Sequence, residues 1–347
     1  MKKNNIEKVV LIVLDGFGLA PRGPGNPITA VHMPFLDKLV SSYRSYSLVA
    51  SGLVVGLEWG VYGNSEVGHG AMGTGRVVVQ SLARINSEIR NKKFFKNEAF
   101  IKVLEHAKKN NSKVHLVGCV SPGGIHSHEG HLVGLLDFFS LNNFKDVYVH
   151  MITDGEDSLP EEGIKSLERI KEPLLRSNAK IISIGGRNFA MDRVKNWALI
   201  KRAWDVMIHN KGNTFTSAED YIKKSYKDKT YDPDIEPASF VNEKGESVKI
   251  EDNDGIIFFN FRNDRMRQIL APFLFKDFKD FERGKILKNL AITTMTNYDD
   301  SFDVFVAYPP EVLKNTLGEI ISKEGLKQIR LAEGEKEAHV TNFFNGG

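Results

Sequence analysis

The sequence predicts a layered α/β protein with largely parallel sheets, and three observations carry that reading. Most of the apolar runs at residues 9–14, 114–120, 147–152, 180–184, 256–261 and 290–296 are nearly continuous rather than alternating, as strands covered on both faces are. Helical spacing fills the stretches between them, with Leu82, Ile85 and Ile89 in one and Trp197, Ile200 and Trp204 in another. Runs and helical stretches alternate along the chain, which is the order of strand–helix–strand units folding onto a parallel sheet. The 347 residues suggest about two domains, each large enough to bury a core.

Taken in order, the first run follows Lys2, Lys3 and Lys8 and is closed by Asp15. A signal-peptide core or a spanning helix needs a longer apolar stretch. The run reads as a buried strand that delivers Asp15 to its carboxyl end. The second run holds the sole cysteine, Cys119, which forbids an internal disulfide and fits a reducing compartment such as the cytoplasm. Its ordinary role is that of a small buried side chain. Residues 211–255 are polar and carry Asp232-Pro233, Glu236-Pro237 and Lys244-Gly245, the marks of a loop-rich excursion with one short helix near 217–224. Residues 297–308, with Asp299-Asp300 and the following Pro309-Pro310, read as a linker. A helix over 311–323 and strands at 328–331 and 340–344 follow, and Gly346-Gly347 close the sequence. A last strand with nothing after it leaves a sheet edge to be covered. Internal repeats and low-complexity tracts are absent.

Lys plus Arg number 47 and Asp plus Glu 44, a net charge of +3. That balance gives no global field for gripping nucleic acid or an anionic membrane, although a local arginine cluster can still hold a small anion.

Four constellations carry candidate chemistry. Asp15-Gly16-Phe17-Gly18 and Gly63-Asn64-Ser65-Glu66-Val67-Gly68-His69 place a carboxylate at a strand end and a serine on a glycine-rich turn that opens a helix. A hydroxyl needs a base or a metal to become a nucleophile, and Asp15 with Ser65 supplies two metal ligands. The same letters also read as a helix cap and a tight turn. Arg187, Arg193, Arg262 and Arg265 follow strand ends, and the last two, three apart, share a face if helical. Guanidinium forks match carboxylate and phosphate, so the set points to a small polyanion, while each alone reads as a surface ion pair. Gly123-Gly124-Ile125-His126-Ser127-His128-Glu129-Gly130-His131 offers His126 for proton transfer or phosphate binding. His128 and His131 have metal-pair spacing but lack a third ligand in the segment. Asp154-Gly155-Glu156-Asp157 offers acid–base or metal-binding carboxylates, or a solvated turn. Phosphate-binding loops and dinucleotide fingerprints do not occur.

The ordered set Val-Leu-Asp15-Gly-Phe-Gly, Gly-Asn-Ser65-Glu-Val-Gly-His, Gly-Gly-Ile-His126-Ser-His, Gly-Gly-Arg187-Asn-Phe-Ala-Met-Asp-Arg193, Phe-Phe-Asn-Phe-Arg262-Asn-Asp-Arg265 and Ala-Glu-Gly-Glu-Lys336-Glu-Ala-His-Val-Thr closely resembles the cofactor-independent (2,3-bisphosphoglycerate-independent) phosphoglycerate mutases of the alkaline phosphatase superfamily. The resemblance covers essentially the whole chain. It implies an alkaline-phosphatase-like domain beginning in residues 1–80, an inserted α/β phosphotransferase domain over 81–300, and a linker with a return to the first domain over 301–347. It implies interconversion of 3-phosphoglycerate and 2-phosphoglycerate through a phosphoserine at Ser65, without 2,3-bisphosphoglycerate. Asp15 and Ser65 would be ligands of a two-manganese centre. Arg187, Arg193, Arg262 and Arg265 would grip the substrate anions, with His126 and Asp157 lining the same pocket and Asp157 carrying protons. Lys336 would neutralise phosphoryl charge between the domains. The expected partner is the small-molecule substrate alone, with no nucleic acid and no membrane, bound by a monomer.

Three departures from the family pattern stand out. Where the family reads Asp-Gly-Arg-Asp, this chain has Glu156, a carboxylate expected to repel an anionic substrate by a few kcal/mol in a dry pocket. The approach to Ser65, Leu57-Glu58-Trp59-Gly60-Val61-Tyr62, is bulkier than usual. Family members also continue past the segment matching 338–347, into an Asp-to-His pair and an Asp-His-Gly segment that supply most metal ligands. The chain therefore reads as an incomplete, N-terminal part, with strands near Val9, Gln328 and Val340 short of sheet neighbours. Alternatives are a metal-dependent phosphohydrolase or phosphomutase of the same superfamily, and a non-catalytic phosphoglycerate-binding fragment.

Overall fold

The computed structural model describes residues 8–346; Lys2, Lys3 and Gly347 lie outside them. The chain divides into two compact units, Ser81–Glu311 and a second built from the residues up to Gln80 together with those from Val312 onward.

The Ser81–Glu311 unit is organised on an eight-stranded sheet. Its strands are β1 (Val114–Cys119), β2 (Val147–Thr153), β3 (Lys180–Gly186), β4 (Asn213–Phe215), β5 (Ala238–Phe240), β6 (Gly255–Phe258), β7 (Ala291–Thr296) and β8 (Phe305–Tyr308). They lie in the order β4-β5-β3-β2-β1-β6-β7-β8. Six of them run parallel, and β5 meets β3 antiparallel with β4 beside it. The apolar runs fold as strands because both faces are covered, and side-chain parity sorts each strand between two cores. Val114 and Leu116 face Phe100, Val103, Leu135 and Phe139, whereas Val117 and Cys119 face Trp204, Met207, Phe258 and Ile269. Cys119 is buried and free, and burial pushes its thiol up.

The helices begin where the sequence supplies caps. Asn97 accepts from the Ala99 amide to open Glu98–Asn110, and His128 accepts from the Gly130 amide to open Glu129–Leu141. A polar ladder crosses the sheet inside the core. His115 Nδ1 lies 3.0 Å from His150 Nε2, His150 Nδ1 lies 2.7 Å from Ser183 Oγ, and His115 Nε2 lies 3.2 Å from Asp254 Oδ2. Each side chain of this ladder thus finds a partner.

Two expectations change in this unit. Residues 297–308 contain β8, so the sheet extends past residue 300 and the stretch is not a free linker. Arg262 and Arg265 lie in the loop between β6 and the helix Arg267–Leu274 rather than on a helix face.

Among its described residues the other unit contains helices and turns and no strand. Residues 9–14 are irregular, with Val9 82% exposed, and residues 328–331 are irregular too, with Ile329 92% exposed. Residues 340–344 leave the helix Glu337–Val340 and enter the turn Phe343–Asn345. The helix expected over 311–323 is shorter, Leu317–Lys323. An apolar run marks a segment that gains by burial, but a strand also needs hydrogen-bonding neighbours, and these three runs do not pair with one another. What orders the unit is packing of the helix Ser65–Thr74 on the Phe343–Asn345 turn. Gly73 lies so close that a Cβ there would sit 1.7 Å from the Phe344 carbonyl oxygen. Arg330 donates to the Val340 carbonyl at 2.6 Å and stacks over the Phe344 ring.

Candidate active site

In the Ser81–Glu311 unit the parallel strands release their loops on one edge of the sheet. The chain moves from β1 to β2 on one side, and β6 lies on the other side of β1, so the loops diverge there, at the switch point where α/β sheets place ligands. The loop after β1 carries His126, the turn after β2 carries Asp154, Glu156 and Asp157, and β3 runs straight into Arg187. The loop after β6 carries Arg262, Asp264 and Arg265.

These side chains meet. Arg187, 1% exposed, points one terminal nitrogen at Asp154 and, at 2.7 Å, at Asp157. Its other terminal nitrogen lies 3.3 Å from Glu156, whose same oxygen is 3.7 Å from Arg265. Arg193 binds Asp264 at 2.7 Å and Arg262 approaches Asp264 at 3.3 Å. His126 sits between the two groups, with Nε2 3.7 Å from Asp157 and Nδ1 3.7 Å from Asp264. The backbone fixes the arrangement, since the Phe261 and Arg262 amides both donate to the His126 carbonyl. Gly123 leaves room for the same turn, because a Cβ there would lie 2.4 Å from the Asp157 carbonyl oxygen.

Glu156 therefore faces cations in the folded chain. The structure also brings in Asp264, which sequence reasoning did not single out; its position between Arg262 and Arg265 was the available signal. His128 and His131 do not form a metal site. His128 caps its helix, and His131 is buried against Asn86 Oδ1 at 3.0 Å.

Burial, reinforced by the Arg187 charge, holds the His126 imidazole down at about 4, so it is neutral near pH 7. Burial likewise lowers His131 to about 3 and depresses His115 and His150. In the unfolded chain these imidazoles titrate near 6.5. Unfolding therefore takes up protons below that pH, and stability falls as pH drops from about 6.5 towards 4. Asp232 opposes this. Burial raises its carboxyl to about 6, so its contribution is present below its unfolded value of 3.8 and is lost as pH rises through 6. Four histidines against one aspartate keep the slope positive, at about 1.4 kcal/mol per pH unit for each net proton. The urea midpoint is expected to fall steadily from pH 7 through 6 to 5. A midpoint that rises on acidification overturns this assignment.

The other unit holds the second cluster. Asn64 caps the helix Ser65–Thr74 through the Val67 amide, which places Ser65 on the first turn at the positive end of the helix. The Ser65 hydroxyl donates to the Asp15 carboxylate, 3.0 and 2.9 Å from its two oxygens. Lys336 Nζ lies 3.0 Å and His339 Nε2 3.6 Å from Asp15 Oδ2. The Lys336 hydrogen bond, and then that from Ser65, hold the Asp15 carboxyl below its usual range. The His69 ring lies 2.8 Å from the Ser65 carbonyl oxygen and meets His339 edge-on. Asp15, Ser65 and Lys336, far apart in sequence, thus form one cluster within this unit.

Comparison with known proteins decides the family. The model of the BPG-independent phosphoglycerate mutase N-terminus matches residues 85–300. The 2,3-bisphosphoglycerate-independent phosphoglycerate mutase of Acetivibrio thermocellus is 43% identical over 98% of this chain, which covers 67% of that protein. The chain belongs to the BPG-independent phosphoglycerate mutase family. The mutase of Clostridium beijerinckii is 44% identical over 98% of the chain, which covers 66% of it. The crystallised phosphoglycerate mutase of Leishmania mexicana, studied at low cobalt concentration, matches with a TM-score of 0.71 and 29% identity, over 96% of this chain and 63% of its own. The chain thus spans about two thirds of the length of these mutases.

Asp15 and Ser65 stand together, but the Asp15 carboxylate is engaged by a hydroxyl and an ammonium group. No group of three His, Cys, Asp or Glu side chains among the described residues is arranged to hold a metal ion. The donors do not fit a two-metal cage. No helix of the described residues is long and apolar enough to cross a membrane.

Proposed function

We propose that this chain carries both halves of the phosphoglycerate mutase reaction, the interconversion of 3-phosphoglycerate and 2-phosphoglycerate through a phosphoserine at Ser65. The observation that carries the reading is the guanidinium cluster of Arg187, Arg193, Arg262 and Arg265 gathered beside a neutral His126 at a sheet switch point. It suits a small ligand with a carboxylate and a phosphate. Phosphoryl transfer is chiefly positioning and charge neutralisation, and arginines serve both.

In the first transfer the Ser65 oxygen takes the phosphoryl group, its proton passing to the glycerate oxygen that leaves. In the second, the neighbouring glycerate hydroxyl takes the phosphoryl group and a proton returns to Ser65. Asp15 orients the Ser65 hydroxyl and Lys336 offsets the charge beside it. His126, with one N–H and one lone pair when neutral, and Asp157 beside it carry protons for the glycerate oxygens. Manganese is the metal implied by the family resemblance, but the donors here do not form its site, so no step is assigned to it. On the same reading the chain works as a monomer in the cytoplasm, without 2,3-bisphosphoglycerate.

The absence of a metal cage among the described residues favours one second reading, a phosphoglycerate-binding chain without turnover. Calorimetric titration of 3-phosphoglycerate, paired with an enolase-coupled assay, tests both. Binding with turnover is expected for the mutase and binding alone for the second reading. Hydrolysis to free phosphate points instead to a phosphohydrolase, and no heat of binding overturns all three.

A further inference from the structure

We propose that Glu156 is a built-in occupant of the anion seat between Arg187 and Arg265, which the anionic end of a ligand must displace in order to bind. This deepens the function proposed above and rests on its anion-binding site.

Three carboxylates face Arg187, and they are not equivalent. Asp154 is 4% and Asp157 22% exposed at the side chain, and both engage the same guanidinium nitrogen. They anchor Arg187 from one side. Glu156 is 42% exposed and reaches the other terminal nitrogen at 3.3 Å. The same oxygen lies 3.7 Å from Arg265, so a single carboxylate bridges two guanidinium groups. Its backbone sits on a turn that Gly155 makes at φ +72°. Glu156 thus makes the longest contact and is the most exposed of the three, and it is the one a ligand can replace without uncovering a buried charge.

The seat has capacity beyond what Glu156 uses. Arg187 Nε and Arg265 Nε are buried and have no hydrogen-bond partner among the described residues. Buried donors of this kind ordinarily find one, so their state points to a ligand that brings acceptor oxygens beyond the single one Glu156 places there. A phosphate or a ligand carboxylate presents the same oxygen chemistry as the Glu156 side chain and competes for the same N–H groups. Competition lowers the apparent affinity by the fraction of time the seat is open. On this account Glu156 acts chiefly by occupancy, and through-space repulsion of the ligand is secondary.

The test is calorimetric titration of inorganic phosphate and, separately, of 3-phosphoglycerate into the full chain and its Glu156→Gln and Glu156→Asp variants. Glu156→Gln is expected to tighten 3-phosphoglycerate binding roughly tenfold. Glu156→Asp keeps the charge but, one methylene shorter, loses the bridge, so it too is expected to bind more tightly than the parent. Phosphate binding that tightens in parallel assigns the seat to the phosphate end; tightening seen with 3-phosphoglycerate alone assigns it to the carboxylate end, and either supports occupancy. If Glu156→Asp binds as weakly as the parent while Glu156→Gln tightens, repulsion alone explains the effect and occupancy is overturned. Equal affinities in all three, or weaker binding by Glu156→Gln, overturn it while leaving the proposed function standing. No binding of either probe by any of the three overturns both.

Discussion

Replacing Arg187 by methionine is expected to cost the folded chain about 3–5 kcal/mol, the penalty for breaking a buried ion pair by removing one partner. Arg187 is 1% exposed and faces Asp154, Asp157 and Glu156. Without it Asp154 remains a buried carboxylate. Burial alone would raise its pKa, but the Ser121 hydroxyl, the Asp157 amide and the Arg187 charge together hold it below the ordinary value. Arg187→Met removes the last of these, and the turn that carries Asp154 to Asp157 loses its anchor. Arg187→Lys keeps a charge but cannot fork to both sides, so an intermediate loss is expected. Adding Asp154→Asn to Arg187→Met removes the stranded charge and is expected to restore part of the stability. Urea unfolding at pH 7 measures all three. A loss below about 1 kcal/mol in Arg187→Met, the size of an exposed pair, contradicts this account.

Ser65→Ala is expected to reduce conversion of 3-phosphoglycerate by at least about a thousandfold in any preparation of the chain that turns over, as loss of a covalent nucleophile does. The substitution removes the proposed phosphoryl acceptor and little else, because Asp15 keeps its contact with Lys336. Binding of 3-phosphoglycerate is expected to persist, since the four arginines belong to the Ser81–Glu311 unit. The split is the diagnostic: affinity kept, transfer lost. Acid quenching of the parent during turnover, followed by peptide mass spectrometry, is expected to find phosphate on Ser65 and none in the variant. Turnover within a few-fold of the parent would remove the phosphoserine from the mechanism.

How far the sequence could be read depended on which interactions were local. β1, β2, β3, β6 and β7 were legible because each is rich in apolar and β-branched residues with few charges, a pattern that burial on two sheet faces imposes on the residues themselves. β4, β5 and β8 were not, because segments as short as Asn213–Phe215 and Phe305–Tyr308 become strands only by pairing with neighbours. The same dependence worked in reverse at residues 9–14, apolar enough for a strand yet irregular in the folded chain. Arg262 and Arg265 were correctly placed after a strand, but the helix beyond starts only at Arg267, so their meeting with Asp264 and Glu156 comes from loop geometry rather than helical spacing.

By itself the sequence determined which chemistry is present: a serine on a glycine-rich turn, four arginines after strands, a histidine and a run of carboxylates, in an order that marks the family. Residue types and motif order are properties of the chain and survive any fold. The tertiary structure alone decided what each charge faces. Glu156 reads in sequence as a negative charge set against an anionic substrate, whereas in the fold it bridges Arg187 and Arg265. Electrostatic energy depends on separation and burial, and neither is written in residue order.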